Sequence, residues 1–245
     1  MKKKALILGG FGSVGFACAD ELARAGYDIV IVHRGRRSKE QDVASKIKCL
    51  ESRGASVMAI KGNATTEECI DKVCQLLQGQ KINCLIHAIA DGNIGSVFGN
   101  RRLDAESFVN TFNTMCISYM LWAQRLISYN LMEKNSHLIG FTSNGSKKVY
   151  PQYAANGVAK AALEALCLYM AVELKPNDIS VNIIRAGIMD TNAVRAFDCY
   201  DNLMEIAAKE NRSHKPVEPN AVARKVVEII NSGEIDSGTM VEVEE

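Results

Sequence analysis

The string Gly9-Gly10-Phe11-Gly12-Ser13-Val14-Gly15 is the first place where residue types and spacing point to chemistry. It follows the apolar run Ala5–Leu8 and leads into an amphipathic stretch, Val14–Ala25, so a strand passes through a glycine turn into a helix. Glycines let the backbone turn sharply and approach a pyrophosphate, while the helix start offers unpaired N–H groups at the positive end of its dipole. Alone, the string also fits a turn that holds no ligand. The next strand-length run, Asp28–Val32, ends in His33-Arg34-Gly35-Arg36-Arg37. Sites for an unphosphorylated dinucleotide usually place an acid there to hold the ribose 2′-hydroxyl, and none is in reach. A guanidinium carries paired donors and a fixed charge, which suits a 2′-phosphate. The expected cofactor is therefore NADP(H), held by the Gly9–Gly15 loop and by Arg34, Arg36 and Arg37. A solvated basic turn is the alternative for the arginines.

The elements that must position these groups can be read from periodicity. Ala5–Leu8, Asp28–Val32, Ser56–Ile60, Ile82–His87, His137–Thr142, Ile179–Ile184 and Thr239–Val243 are short apolar runs, often β-branched. Amphipathic segments lie between them: Val14–Ala25, Lys39–Arg53, Glu67–Leu77, a long one ending near Met132, Tyr153–Leu174 and Ala221–Asn231. Strands apolar on both faces, alternating with helices, predict an α/β fold. The expectation is a single Rossmann-type doubly wound domain over residues 1–245, with a parallel sheet of about seven strands covered on both faces. No repeat, low-complexity tract or linker divides the chain, and Pro176, Pro216 and Pro219 fall at expected helix boundaries.

Composition narrows the function classes. A net charge of +1 gives no global pull toward nucleic acid or a membrane surface. Among the eight cysteines, Cys49, Cys69, Cys74, Cys84, Cys116 and Cys167 sit in apolar-patterned segments and are expected as buried free thiols, fitting a reducing cytoplasm. Cys69 and Cys74 have no histidine cluster nearby, and His33, His137 and His214 show no ligand spacing, so no metal is expected. Met1-Lys-Lys-Lys with the apolar residues after it imitates a signal peptide, but the glycines interrupt it and cleavage would remove the first strand. No apolar run approaches a membrane span.

Later in the chain, the strand Leu138–Phe141 is followed by Thr142-Ser143, then by Tyr153-Ala-Ala-Asn-Gly-Val-Ala-Lys160. Further on comes Val181-Asn182-Ile-Ile-Arg-Ala186-Gly187-Ile188-Met-Asp-Thr191. This ordered set resembles the Ser–Tyr–Lys apparatus and the nicotinamide-side segment of the short-chain dehydrogenases/reductases, with Ala186 where that family usually has proline. The commonest branch has Tyr-x3-Lys, whereas here Asn156 fills that tyrosine slot and Tyr153 precedes Lys160 by seven positions. Seven residues are two helical turns, so both side chains leave one face, starting roughly 10 Å apart at ~1.5 Å per residue. Tyr-x6-Lys resembles the bacterial enoyl-acyl-carrier-protein reductases, and Gly157-Val-Ala-Lys-Ala-Ala-Leu-Glu-Ala looks like their NADPH-dependent type III branch. The strand end Leu85-Ile86-His87-Ala88-Ile89 points the same way, as does Met115 where carbonyl-reducing members carry a relay asparagine.

The resemblance implies NADPH-dependent reduction of the 2,3-double bond of an enoyl thioester. Hydride goes to the β-carbon while Tyr153 stabilises or protonates the enolate, in fatty-acid or specialised-metabolite biosynthesis. It implies Tyr153, Lys160 and Ser143 as catalytic, although enoyl reduction has less need of the serine and Tyr150 could be the working phenol instead. Lys160 would also hold the nicotinamide ribose, and its charge would make the phenol a better donor. Gly187, Ile188 and Thr191 would fix the carboxamide, Asn63 and Ala64 would contact adenine, and Ala88 and Ile89 would line the crevice. Residues 192–214 would form the substrate lid. Lys147, Lys148, Arg195, Lys209, Arg212, Arg224 and Lys225 could meet an acidic acyl carrier protein, or be scattered surface charges. A homotetramer or dimer is implied, packed through the long helices ending near Met132 and Leu174. The stretch Gly233–Glu245 lacks the family's usual Asp-Gly-Gly. Ketone or aldehyde reduction on the same fold, a sugar-nucleotide epimerase of the extended branch and a non-catalytic NADPH-binding regulator stand as rivals.

Overall fold

The computed structural model describes residues 2–35, 40–191, 194–211, 213–233 and 235–243. Seven strands form one sheet: β1 (Lys4–Leu8), β2 (Asp28–His33), β3 (Val57–Lys61), β4 (Ile82–His87), β5 (Met132–Ser143), β6 (Ile179–Ala186) and β7 (Met240–Val243). Their spatial order is β3-β2-β1-β4-β5-β6-β7, and every neighbouring pair is parallel. The chain winds outward from β1 to β3, returns to β4 beside β1, and winds the other way to β7. That reversal opens a crevice beyond the carboxyl ends of β1 and β4, where open α/β sheets take ligands.

The inner strands β1, β2, β4 and β6 bury both faces, as their nearly continuous apolar runs require, while the edge strands β3 and β7 stay partly exposed. On one face Ala5, Ile7, Ile29, Ile31 and Ile184 pack against α1 (Ser13–Arg24), α2 (Glu40–Glu51) and α8 (Pro219–Ser232). On the other, Leu6, Leu8, Val30, Leu85 and Leu138 pack against α3 (Glu67–Leu76), α5 (Ser118–Ser128) and α6 (Ala154–Leu174). Trp122 is fully buried there, and its indole N–H donates to the Ala64 carbonyl at 2.7 Å, tying α5 to the turn after β3.

The sheet and its strands match the expectation from periodicity, and one long segment departs from it. The helix expected to end near Met132 is α4 (Ala105–Phe112), a π-helical turn (Asn113–Ile117) and α5, which stops at Ser128. Met132 already begins β5, because its apolar side chain faces the sheet core after the Asn130 turn at φ +53°. A further helix, α7 (Tyr200–Glu210), lies inside the segment expected as a lid. All eight cysteines are free thiols; Cys18 is buried with five of the six expected ones, whereas Cys49 is half-exposed beside Asp20 of α1. Among the described residues no helix is long and apolar enough to cross a membrane, and no group of three or more potential ligands could hold a metal ion.

Candidate active site

The glycine loop closes the crevice by backbone contact. Gly9 sits at φ +75°, donates to the Val32 carbonyl at 2.9 Å and presses against the Ala88 backbone. A Cβ on Gly15 would lie 2.4 Å from the Gly9 carbonyl oxygen, so only glycine lets the first turn of α1 pack on the loop. Gly12 occupies the N-cap with no side-chain cap, leaving the N–H groups that open α1 to meet an anion, and Ser13 begins the helix. Ala88 and Ile89 follow β4 directly across the crevice. A tight glycine turn leading into an uncapped helix N-terminus is a setting that a dinucleotide pyrophosphate fits.

At the neighbouring strand ends the picture is more mixed. Arg34 forms a 2.5 Å ion pair with Asp91, from the loop after β4, with both side chains more than half exposed. Arg36 and Arg37 lie outside the described residues. Phe11 meets the His33 ring edge-on with centroids 4.9 Å apart. Asn63 spends its side-chain oxygen on the Thr65 amide and hydroxyl, and the Ala64 carbonyl is taken by Trp122. Any adenine contact from this pair must therefore use their remaining atoms.

On the other side of the switch point, β5 and α6 bring Ser143 and Tyr153 together: the two hydroxyls share a 3.1 Å hydrogen bond. Tyr153 stands just before the first turn of α6, half-buried, with its ring 5.9 Å from Phe197 and 6.4 Å from Tyr150. Burial raises the Tyr153 pKa, and the Ser143 hydrogen bond offsets that in part, so the phenol keeps its proton at neutral pH. Its seat is made by two glycines, Gly145 and Gly157. A Cβ on Gly145 would come within 2.4 Å of the Tyr153 ring, and one on Gly157 within 2.5 Å of the Gly145 carbonyl.

Lys160 is buried two turns along α6 and donates to the Phe141 carbonyl at 2.7 Å. Desolvation pulls its pKa down to about 8, against smaller upward pulls from Cys116 and Glu164. The expected downward pull of Lys160 on the phenol is not among the causes of its raised pKa; Ser143 supplies the lowering one, while the ammonium is bonded to the Phe141 carbonyl. Glu164, one turn further on, is drawn below the usual carboxylate range by Ser146, Thr142 and Arg185, against its partial burial. It accepts from Thr142 at 2.6 Å and pairs with the buried Arg185 at 2.9 Å.

Neighbouring positions explain the unusual spacing. Asn156, in the tyrosine slot of the commoner pattern, is buried and donates to the Asn93 carbonyl at 2.9 Å, bracing the loop after β4. Tyr150 is engaged at the surface, donating to Glu210 at 2.9 Å. His87 is buried against Ser118 at 2.8 Å; that hydroxyl donates to the Thr114 carbonyl, which makes His87 the donor in the pair. Burial, with Lys160 nearby, pushes His87 down to about 3, so it is neutral. Met115 is buried in the π-helical turn.

The strand end after β6 is held by a residue the sequence reading missed. Asn211, buried at the end of α7, donates to Ile188 at 3.3 Å and Lys215 at 2.7 Å, and its side chain would collide with any Cβ on Gly187. Thr191 caps the turn at Val194 with its hydroxyl. Asn192, Ala193 and Arg212 lie outside the described residues. Of the bases expected to meet a carrier, Arg195 forms a two-pronged pair with Asp190, Lys148 pairs with Glu210 and Lys225 with Glu228. Their charges are already answered within the chain.

A parallel sheet with its switch point at a glycine cradle, and a serine, tyrosine and lysine gathered beyond β5, define a short-chain dehydrogenase/reductase. Residues 10–234 match the family described as Enoyl-(Acyl carrier protein) reductase. The 1-cyclohexenylcarbonyl-CoA reductase of Streptomyces collinus is 26% identical over 80% of this chain and 68% of that protein. The Enoyl-[acyl-carrier-protein] reductase [NADH] 1 of Rhizobium meliloti is 32% identical over 74% of this chain and 65% of that one. The crystal structure of an enoyl-[acyl-carrier-protein] reductase (NADH) from Aquifex aeolicus superposes with a TM-score of 0.86 at 24% identity, covering 98% and 94% of the two chains. The chain belongs to the enoyl-(acyl carrier protein) reductase family of short-chain dehydrogenases/reductases, and is an oxidoreductase with a nicotinamide-dinucleotide site.

Proposed function

We propose that this protein reduces the 2,3-double bond of an enoyl thioester with NADPH, and that Tyr153 is its acid. One observation carries the reading: a protonated, half-buried phenol bonded to Ser143 stands two turns before Lys160, while the intervening Asn156 slot is committed to Asn93. When bound, the reduced nicotinamide supplies the hydride that the β-carbon accepts. Charge then gathers on the thioester oxygen, and the Tyr153 O–H meets it where it develops, as effective transition-state stabilisation requires. Ser143 holds that phenol in line. Lys160 has three ammonium donors and spends one on Phe141, so the others serve the ribose hydroxyls. Gly187, Ile188 and Thr191 orient the carboxamide, with Asn211 fixing their backbone.

The names of the Rhizobium and Streptomyces relatives support a thioester substrate, carried by acyl carrier protein or coenzyme A. The name of the Rhizobium relative includes NADH; the preference for NADPH here rests on Arg34, Arg36 and Arg37 and on the missing acid after β2. The described part of the lid segment, 194–211, brings Phe197 against Tyr153, the side from which it would cover the acyl chain. The cysteines, all free, fit a cytoplasmic enzyme. Val158, Leu168, Tyr169 and Val172 are exposed along one side of α6, an apolar stripe that suits a second copy of the chain. Tyr169→Glu should convert that oligomer to monomer on size-exclusion chromatography; an unchanged elution would remove α6 from the interface.

A second reading, carbonyl reduction, is favoured by the Ser143–Tyr153 hydrogen bond, which would also serve a ketone oxygen. Rates of NADPH consumption with crotonyl and acetoacetyl thioesters separate the two. The first substrate should turn over at least ~100-fold faster, since the active-site geometry is asked for about 3 kcal/mol of discrimination. Reversed rates would establish the ketoreductase, and NADPH binding without turnover on either would make the protein a non-catalytic binder.

A further inference from the structure

The 2′-phosphate reading leaves a question of charge, because Arg34 is already paired with Asp91. Lys61 answers it. It is the last residue of β3 and lies in register with His33, the last residue of β2. Side chains at paired positions of parallel strands leave the same face of the sheet, on strands about 4.8 Å apart. The Lys61 stem lies along the turn after β2: a Cβ on Gly35 would be 3.0 Å from its Cε and 3.2 Å from its Cδ. Gly35, at φ +57°, has no Cβ and so gives the stem room. The ammonium is close enough to push the His33 pKa down, adding to burial. Among the described residues Lys61 has no ion pair, and the undescribed neighbours Arg36, Arg37, Ser38 and Lys39 carry no carboxylate.

We infer that Lys61, reaching from β3 rather than from the loop after β2, is a determinant of specificity for the 2′-phosphate of the dinucleotide. The inference rests on the NADPH reading above and names the residue that would enforce it. His33, with Phe11 packed on its ring, forms the floor beside it, and the glycine at position 35 keeps the path from β3 to the ribose open. A lysine suits this place as a compact point charge on an exposed, flexible stem.

Equilibrium titration with adenosine 2′,5′-bisphosphate and with AMP tests this without catalysis, beside Kd values for NADPH and NADH. Lys61→Gln should weaken the bisphosphate and NADPH about tenfold, the size of one charge-assisted hydrogen bond, and leave AMP and NADH within about twofold. Lys61→Arg should keep most of the affinity. Lys61 is exposed, so Tm should hold in both variants, and a fallen Tm would assign it a structural role instead. A wild-type preference for the 2′-phosphate that survives Lys61→Gln would overturn this inference alone. Equal wild-type affinity for NADPH and NADH would overturn the NADPH reading, and the inference with it.

Discussion

At the glycine loop, backbone meets backbone: Gly15 packs on the Gly9 carbonyl, Gly9 on Ala88, and each contact lies where a single methyl group would collide. Over Tyr153 the cover is held differently. Segment 194–211 is fastened at its surface by side chains, Asp198 to Arg101 and Glu210 to both Lys148 and Tyr150. Steric closeness cannot be adjusted by degrees, because interiors are close-packed and overpacking is costly. Exposed ion pairs contribute little and exchange readily with water. On the proposed function, the chain thus pairs a rigid seat for the cofactor with a cover held by exposed ion pairs over the substrate side.

The largest expected effect lies on the rigid side. Gly15→Val should cost more than ~3 kcal/mol, the upper range for overpacking, and abolish nucleotide binding, checked by denaturant unfolding and titration. If the variant keeps both stability and affinity, the loop is not the backbone-packed seat described above. Next comes Lys160, which stands between the regions. Its pKa near 8 lies below the ordinary lysine value of 10.5, so raising the pH through about 8 removes the ammonium from the folded protein first. The kcat/KM for NADPH should fall there, whereas the Lys160 contribution to stability rises between about pH 8 and 10. In that window the unfolded chain still binds the proton that the folded one has released. Lys160→Met should erase both trends, and a flat profile in the wild type would separate the ammonium from catalysis. The smallest effect belongs to the cover. Asp198→Asn should shift stability by no more than about 1 kcal/mol, yet change the KM for thioester and its salt dependence. A large loss of stability would mean that the cover is as fixed as the seat.

The same contrast explains what the sequence made legible. Seven strands and the glycine turn could be read because each follows from local pattern: β-branched runs, a turn that only glycine can make, a helix after it. Ser143, Tyr153 and Lys160 were picked out by a family resemblance carried on one short ordered stretch, in which Ser143 ends β5, Tyr153 stands just before α6 and Lys160 lies two turns along it. Asn211, Arg101 and Asp198 were not, since their partners lie far along the chain and nothing local marks them. Gly145 was passed over for a related reason: its conformation is ordinary, and only the Tyr153 ring folded onto it shows why no side chain fits. The helix expected to run to Met132 misled because an apolar run of that length serves the end of α5 and the start of β5 equally well.

Tyr153→Phe removes one oxygen and leaves the glycine-lined seat filled, so it tests the central claim with little disturbance to the fold. Compared with wild type, NADPH affinity and Tm should be unchanged, and kcat on crotonyl thioester should fall about 100-fold or more, the share a positioned donor contributes. Turnover at the wild-type rate would contradict it, and would place the acid elsewhere than Tyr153.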